Sequence, residues 1–456
     1  MQQPKPRKPK SSEHSVRPSA EEASNQAAAL LDEASAIGRS TPNILDAVVS
    51  PRMVARSRRK LLVTWSGGLD STYGLVRVLR ETEDDIFVHH IHRFAPHDDK
   101  SAAAESGRYE ATAVGKMLPL IRERYRDFAY SESLIDNTAF PQFAPDATTV
   151  LMFAGCMVRR LEFGPEDRIL DVMNKDEDGD WSPASMSGKL LRMNSRHILK
   201  LVQRTDEIPD LYTYEDIPTK AEEVAYLPRD LVELNASCRA PRLIDGSWRN
   251  CGICRKCRSF ARMGVKFPGD PEDGDRLQEL DDESRPTEPR RGVEVRPLGA
   301  RKHLVMWSGG EKSTAALVRI LEQTDEQVHV HHVLSCGRLD RRPDDRSLGG
   351  HAFSETKAKV DEIRRRHRPF KATMSAIGPD RVICNTHPVN VIAYFAAQAA
   401  LSWRMQPIDR LVLGSWGDGT DAADVRPALY RSGEMLAPQM LKAVMRSEDG
   451  PQFILG

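Results

Sequence analysis

The chain has no excess of either charge: 66 lysines and arginines balance 66 aspartates and glutamates. No global field therefore favours nucleic acid or an anionic membrane, and direct nucleic-acid binding is left open. There is no apolar run of the length a membrane span needs, and the basic N-terminus has no apolar core of the signal-peptide kind. A cytoplasmic chain with no membrane partner is the expectation. A disulfide framework is also missing, since four of the seven cysteines fall in one cluster with metal-like spacing, which suits a reducing compartment. No Ser–His–Asp set stands out. The first glycine-rich turn lacks the lysine of a Walker A loop, which argues against a kinase-like or GTPase-like phosphate loop.

That turn is nonetheless distinctive. Ser66-Gly67-Gly68-Leu69-Asp70-Ser71 follows the apolar run Leu61-Leu62-Val63-Thr64-Trp65 and precedes a helix-like stretch from Thr72 to Arg80. A strand, a glycine turn and a helix start in that order form a phosphate cradle. Glycines admit an anion close to the backbone, and the first-turn N–H groups point at it. Ser66 and Ser71 add hydroxyls. A plain turn between a core strand and a helix is the simpler alternative, and the full six-residue match in this context argues against it. The pattern SGGxDS resembles the PP-loop of ATP pyrophosphatases, which split ATP into AMP and pyrophosphate and activate a substrate as an adenylate.

The motif occurs twice. Arg59 to Ile91 aligns without a gap to Arg301 to Val333, with more than half the positions identical, including Trp65/Trp307 and His89-His90/His331-His332. The register returns where Pro165-Glu166-Asp167-Arg168 parallels Pro407-Ile408-Asp409-Arg410. So long a period implies two like domains rather than a solenoid. In the second turn Glu311-Lys312 replaces Leu69-Asp70, so a carboxylate that could help hold Mg²⁺ becomes a cation. The first site is expected to be catalytic, and the second inert or anion-binding without turnover.

Four parts follow. Residues 1–51 read as a mobile arm, 52–267 as a first domain, 268–297 as an acidic-then-basic linker and 298–456 as a second domain. Apolar strands such as Ile86–His92 and Arg168–Val172 alternate with amphipathic helices such as Tyr109–Arg124 and Thr149–Leu161. The fold class expected is α/β, two tandem doubly wound parallel-sheet domains with ligands at the carboxyl ends of the strands.

Cys238, Cys251, Cys254 and Cys257 form the second constellation, in SCRAPRLIDGSWRNCGICRKC. Four thiolates suit tetrahedral Zn²⁺, and a CxxCxxC knuckle supplies three of them. An iron–sulfur cluster is the chemical alternative. Such a site contributes on the order of 10 kcal/mol to ordering a loop-rich segment. Cys156, Cys336 and Cys384 are read as core thiols. The His89-His90-Ile91-His92 run is read as strand-end structure, with a pocket role as the other option.

SGGLDST, then Thr219-Lys220-Ala221-Glu222-Glu223-Val224, then the cysteine segment occur in one order that resembles the 7-cyano-7-deazaguanine synthase (QueC) family. The resemblance spans most of the first domain. It implies a zinc-containing enzyme that uses ATP and ammonia to convert a 7-carboxy-7-deazaguanine into a nitrile through adenylates. Carried over by position, it implies that Ser66, Gly67, Gly68, Leu69, Asp70, Ser71 and Thr72 bind ATP and Mg²⁺. It likewise implies that the four cysteines hold Zn²⁺ and that Asp70 and Lys220 are catalytic candidates. A solvated lysine at a helix start is the other reading of Lys220. The family's Arg-Asn pair is missing at Pro145-Asp146-Ala147-Thr148, and is partly restored at Pro388-Val389-Asn390. Asp421 to Pro427 likewise resembles the family's substrate segment better than Trp181 to Ser187 does. A division of labour, with the second domain completing the pocket, is one expectation. The functions implied are 7-deazaguanine synthesis or transfer, serving nucleic-acid modification or a conflict between bacteria and phages, with ammonia or a protein amine as acceptor. Another acyl-adenylate ligase, a tRNA-modifying enzyme and a non-catalytic scaffold are the alternatives.

Overall fold

A computed structural model describes residues 58–94, 100–137, 146–172, 175–176, 179–180, 185–203, 207–238, 241–244, 247–252, 254–265, 267, 301–335, 353–378, 388–403, 405, 409–413 and 452–455. The expected arm and linker lie outside the described residues. So do Pro145, most of Trp181 to Ser187, Asp421 to Pro427, Cys336, Cys384 and the side chains of Asp146, Ala147, Thr148 and Asn390.

The first copy of the repeat opens with β1 (Lys60–Thr64), α1 (Leu69–Glu81), β2 (Asp85–Phe94), α2 (Lys100–Arg124), β3 (Ala129–Asp136), α3 (Asp146–Arg160) and β4 (Arg168–Leu170). A small hairpin, β5 (Lys175–Asp176) and β6 (Gly179–Asp180), precedes α4 (Met186–Gln203), β7 (Asp210–Tyr212), α5 (Lys220–Tyr226) and α6 (Arg229–Leu234). The cysteine segment holds a hairpin, β8 (Arg242–Ile244) and β9 (Ser247–Arg249), and then α7 (Arg255–Arg262). The second copy supplies β10 (Lys302–Met306), α8 (Glu311–Gln323), β11 (Gln327–Ser335), α9 (Phe353–Arg366), β12 (Lys371–Gly378), α10 (Pro388–Ser402), β13 (Arg410–Leu413) and β14 (Gln452–Leu455). Helix α2 starts nine residues earlier than the periodicity suggests, because Ala102, Ala103 and Ala104 are strong helix formers that carry no amphipathic signal.

The protein is α/β, with a mixed, mostly parallel ten-stranded sheet ordered β14-β13-β10-β11-β12-β3-β2-β1-β4-β7. Each copy contributes five of these strands in the same doubly wound order, and the two sets meet at one antiparallel pairing, β12 with β3. At that seam Ile135 pairs with Ile377 while Asp136 pairs with Ala376 and Leu134 with Gly378. The offset that takes Arg59 to Arg301 also takes Ile135 to Ile377, so Ile135 faces its own counterpart. The seam is therefore isologous, the self-complementary contact of a twofold axis. One apolar core runs through it, packing Ile135, Met152 and Phe153 with Ile377, Tyr394 and Phe395. The Thr149 and Tyr394 hydroxyls meet at 2.5 Å between α3 and α10.

The later return of the repeat register has a structural cause. Asp167 accepts the Lys60 N–H at 2.6 Å, and Asp409 accepts the Lys302 N–H at 2.7 Å. Each carboxylate satisfies the first amide of its central strand from a buried position.

Candidate active site

Strand β1 delivers the chain to the turn at the point where the sheet order reverses, between β1 and β4. The buried Trp65 donates its indole N–H to Thr72 at 3.0 Å, and its carbonyl meets His90 Nδ1 at 2.8 Å, so both ends of the turn are fixed. Gly67 has φ +80, and a Cβ there would lie 2.9 Å from Val114 Cγ2. Only glycine fits. Ser66 and Ser71 hydroxyls lie 2.9 Å apart, and Ser66 Oγ accepts the Gly68 N–H at 3.3 Å. Gly68 is the N-cap of α1, with Asp70 in the first turn.

The turn opens into a cavity of about 450 Å³. Of the residues expected to bind nucleotide, Ser66, Gly68, Leu69, Asp70 and Ser71 line it, and Lys220 lies across from them. Gly67 shapes the turn from behind. Thr72 is fully buried against Trp65 and supports the turn from within. Lys220 stands at the start of α5, held by a capping box in which Thr219 and Glu222 satisfy each other's backbone N–H. It forms ion pairs with Asp70 and, at 3.2 Å, with the fully buried Glu223. Burial pushes the Lys220 ammonium down to about 8, with the Glu223 charge opposing the shift. A solvated lysine is thus not what the geometry contains.

The four cysteines converge, their Sγ atoms all within 4.8 Å of one another. Separations of 4.0 Å (Cys238–Cys254 and Cys251–Cys257) and 3.5 Å (Cys254–Cys257) are close to the roughly 3.8 Å edge of a tetrahedron with 2.3 Å metal–sulfur bonds. The group can hold a metal ion and is compatible with zinc. Backbone N–H groups of Cys251, Cys254 and Cys257 donate to Cys238, Cys251 and Cys254 sulfurs, which favours thiolates. Cys156 is a core thiol, buried in the cluster around Met152 and Phe153.

The cysteine segment is tied to the glycine turn. Ser237 Oγ accepts the Leu69 N–H at 3.1 Å, and Ala236 N–H donates to the Gly67 carbonyl at 2.8 Å. Lys256 and Phe260 of α7 also line the cavity. Ser237, Glu110 and Asp171 carry no mark of a site in the sequence, while Lys256 stands there as one of the cations, with Arg255 and Arg258, that offset the charge of a tetrathiolate. For Ser237 the signal was its place beside Cys238; for Asp171, its place just past a strand's carboxyl end. Every described lining residue belongs to the first copy. The histidines do not line the cavity. His89 lies between Ser131 and Ser133 at 2.8 and 2.9 Å, while His92 pairs with Glu132 at 3.1 Å. Burial pushes His89 and His90 down to about 3, so both are neutral.

The second turn keeps the same skeleton. Gly309 has φ +80, Ser308 and Ser313 lie 2.9 Å apart, and Trp307 donates to Thr314 at 2.9 Å. Among the described residues no second cysteine segment stands beside it. Lys359 donates to the Gly309 carbonyl at 3.2 Å, the bond that Ala236 makes to Gly67 in the first copy. Comparison of the chain with family models, curated proteins and solved structures finds no match.

Proposed function

We propose that the first copy is an ATP-dependent PP-loop enzyme that adenylates a 7-carboxy-7-deazaguanine-type carboxylate for attack by ammonia or an amine. The observation that carries this reading is the joining, in one cavity, of the Ser66–Ser71 turn, the Asp70–Lys220 pair and the helix that follows the cysteine knuckle. The tandem PP-loop organisation belongs to the same reading, with the second copy as its inactive partner.

The turn would receive the triphosphate on its backbone N–H groups, at the positive end of α1. Asp70 is half-exposed on the cavity wall and is the carboxylate that would hold Mg²⁺, an ion that keeps few protein ligands and offsets phosphate charge. Lys220, pre-positioned by its capping box, would bind phosphate oxygens and oppose the charge that develops on the leaving pyrophosphate. Attack of the substrate carboxylate on the α-phosphorus gives the acyl adenylate and pyrophosphate. The amine then displaces AMP, and with ammonia a second activation dehydrates the amide to a nitrile. Positioning of the reacting groups supplies much of the rate. Zinc fits the thiolate group better than a multi-iron cluster, whose ligands must spread around several metal atoms.

The test is incubation with Mg-ATP, 7-carboxy-7-deazaguanine and ammonium. AMP and a nitrile are expected. Asp70→Ala should reduce AMP formation at least 100-fold, while Lys312→Ala should leave it within twofold. Release of ADP, or equal losses from both variants, would refute the assignment.

A further inference from the structure

Resting on that reading, we propose that Asp171 is the residue that selects the heterocycle, its carboxylate accepting paired N–H donors from the edge of a 2-amino-4-oxopyrimidine ring.

Asp171 follows β4 directly, across the switch point from the glycine turn. Strands β1 and β4 pair Leu62 with Ile169. Continuing that register sets Asp171 level with Thr64, two residues before Ser66, roughly 8 Å from the turn along and across the sheet. That is about the reach of a fused two-ring heterocycle carrying a carboxylate at its far end. A ring held at Asp171 therefore places its carboxylate at the phosphates.

The backbone of Asp171 serves the sheet: its N–H donates to Tyr212 O at 2.8 Å, and its carbonyl accepts from Thr213 Oγ1 at 2.9 Å. Its side chain does not. Among the described residues Oδ2 is buried with no hydrogen-bond partner, and the nearest cation, Arg192 Nε, stands 3.8 Å away while that guanidinium donates to the Leu211 carbonyl. Burial pushes the carboxyl up to about 6, with Arg192 opposing, which still leaves it ionised at neutral pH. The surrounding wall is apolar and suits a flat ring: Val150, Leu151, Ala154, Ile169, Leu170 and Leu211. A buried carboxylate with an open acceptor among such neighbours is costly to keep, and adjacent N–H donors on a ligand satisfy it.

The second copy supplies an internal control. The matching register there pairs Met306 with Leu413. The copy with Glu311-Lys312 in its turn thus has two apolar residues where the copy with Asp70 has Thr64 and Asp171. The polar floor and the intact turn occur together.

The test compares wild type and Asp171→Asn with two probes, 7-carboxy-7-deazaguanine and its analogue lacking the 2-amino group. Equilibrium binding, AMP formation, Mg-ATP affinity and melting temperature are measured for each. Wild type should prefer the amino compound roughly 10- to 100-fold. In Asp171→Asn that preference should fall below threefold through loss of affinity for the amino compound, with Mg-ATP affinity within threefold and folding intact. AMP formation with wild-type preference retained by Asp171→Asn overturns this inference alone. A wild type that shows no preference overturns it without using the variant. No AMP from either probe, in a folded protein that contains its metal, overturns the enzyme reading as well.

Discussion

Two half-buried carboxyls, Asp171 and Glu132, have opposite pH signatures, and the cause lies in their immediate neighbours. For Glu132, burial alone would raise the carboxyl, yet hydrogen bonds and charge from His92, with the Tyr130 hydroxyl, hold it at about 2. Its stabilisation is present above the ordinary carboxylate range and is lost as pH falls toward 2. Asp171 is raised to about 6, so the folded state binds its proton more tightly than the unfolded chain does. Its contribution is favourable in acid and is lost as pH rises from about 4 to about 6. Asp171→Asn removes that loss. The variant should be more stable than wild type at pH 7.5 by on the order of 2 kcal/mol, with the difference vanishing near pH 4. Denaturant melts at the two pH values check this; a variant less stable at pH 7.5 would mean that Arg192 holds the carboxylate as a structural pair.

Among elements, the cysteine segment matters to the glycine turn through two hydrogen bonds. Ala236 and Ser237, immediately before Cys238, bind Gly67 and Leu69. Holding Cys238 on a metal with Cys251, Cys254 and Cys257 therefore fixes one wall of the cradle. Purified protein should contain one zinc per chain by elemental analysis. Removing it with a chelator, or by Cys254→Ser, should weaken Mg-ATP binding at least tenfold while the far-UV circular dichroism of the sheet is largely kept. Unchanged nucleotide affinity after metal loss would show that the two sites are independent. Lys359 makes the corresponding bond at the second turn, which explains how that turn keeps its shape without a cysteine segment.

At the scale of the whole molecule, the seam decides whether there are two folding units or one. Strands β3 and β12 share three residue pairs, and the core beneath them mixes residues of both copies. Ile135 and Ile377 are 0% and 2% exposed, so shortening either to Ala should cost roughly 2–4 kcal/mol. Because each faces the other, a change on one side should loosen both. Hydrogen exchange should quicken in β10 and β11 after Ile135→Ala, and in β1 and β2 after Ile377→Ala. Faster exchange confined to the altered copy would mean that the copies fold separately. The described lining residues all come from the first copy, so support of α3 and β3 from behind is the contribution of the second that the geometry displays.

The sequence by itself determined the local pieces. The turn was legible because a glycine at positive φ lets the strand pass sharply into the helix at Gly67, and the serines on either side of it meet to brace that turn. The metal group was legible because a CxxCxxC knuckle brings thiols together within one turn of chain. The duplication was legible because its spacing never shifts through Arg59 to Ile91. Only the tertiary structure decided what meets across distance. Asp171 is one acid among 66 until strand order sets it beside the glycine turn, and Lys220 is an ordinary helix-start lysine until α5 faces Asp70. The seam was equally hidden, because Ile135 and Ile377 carry no mark of pairing in a linear chain. Spacing along the chain fixes which groups lie within a turn of each other; burial and the ordering of strands fix which distant groups must share a cavity.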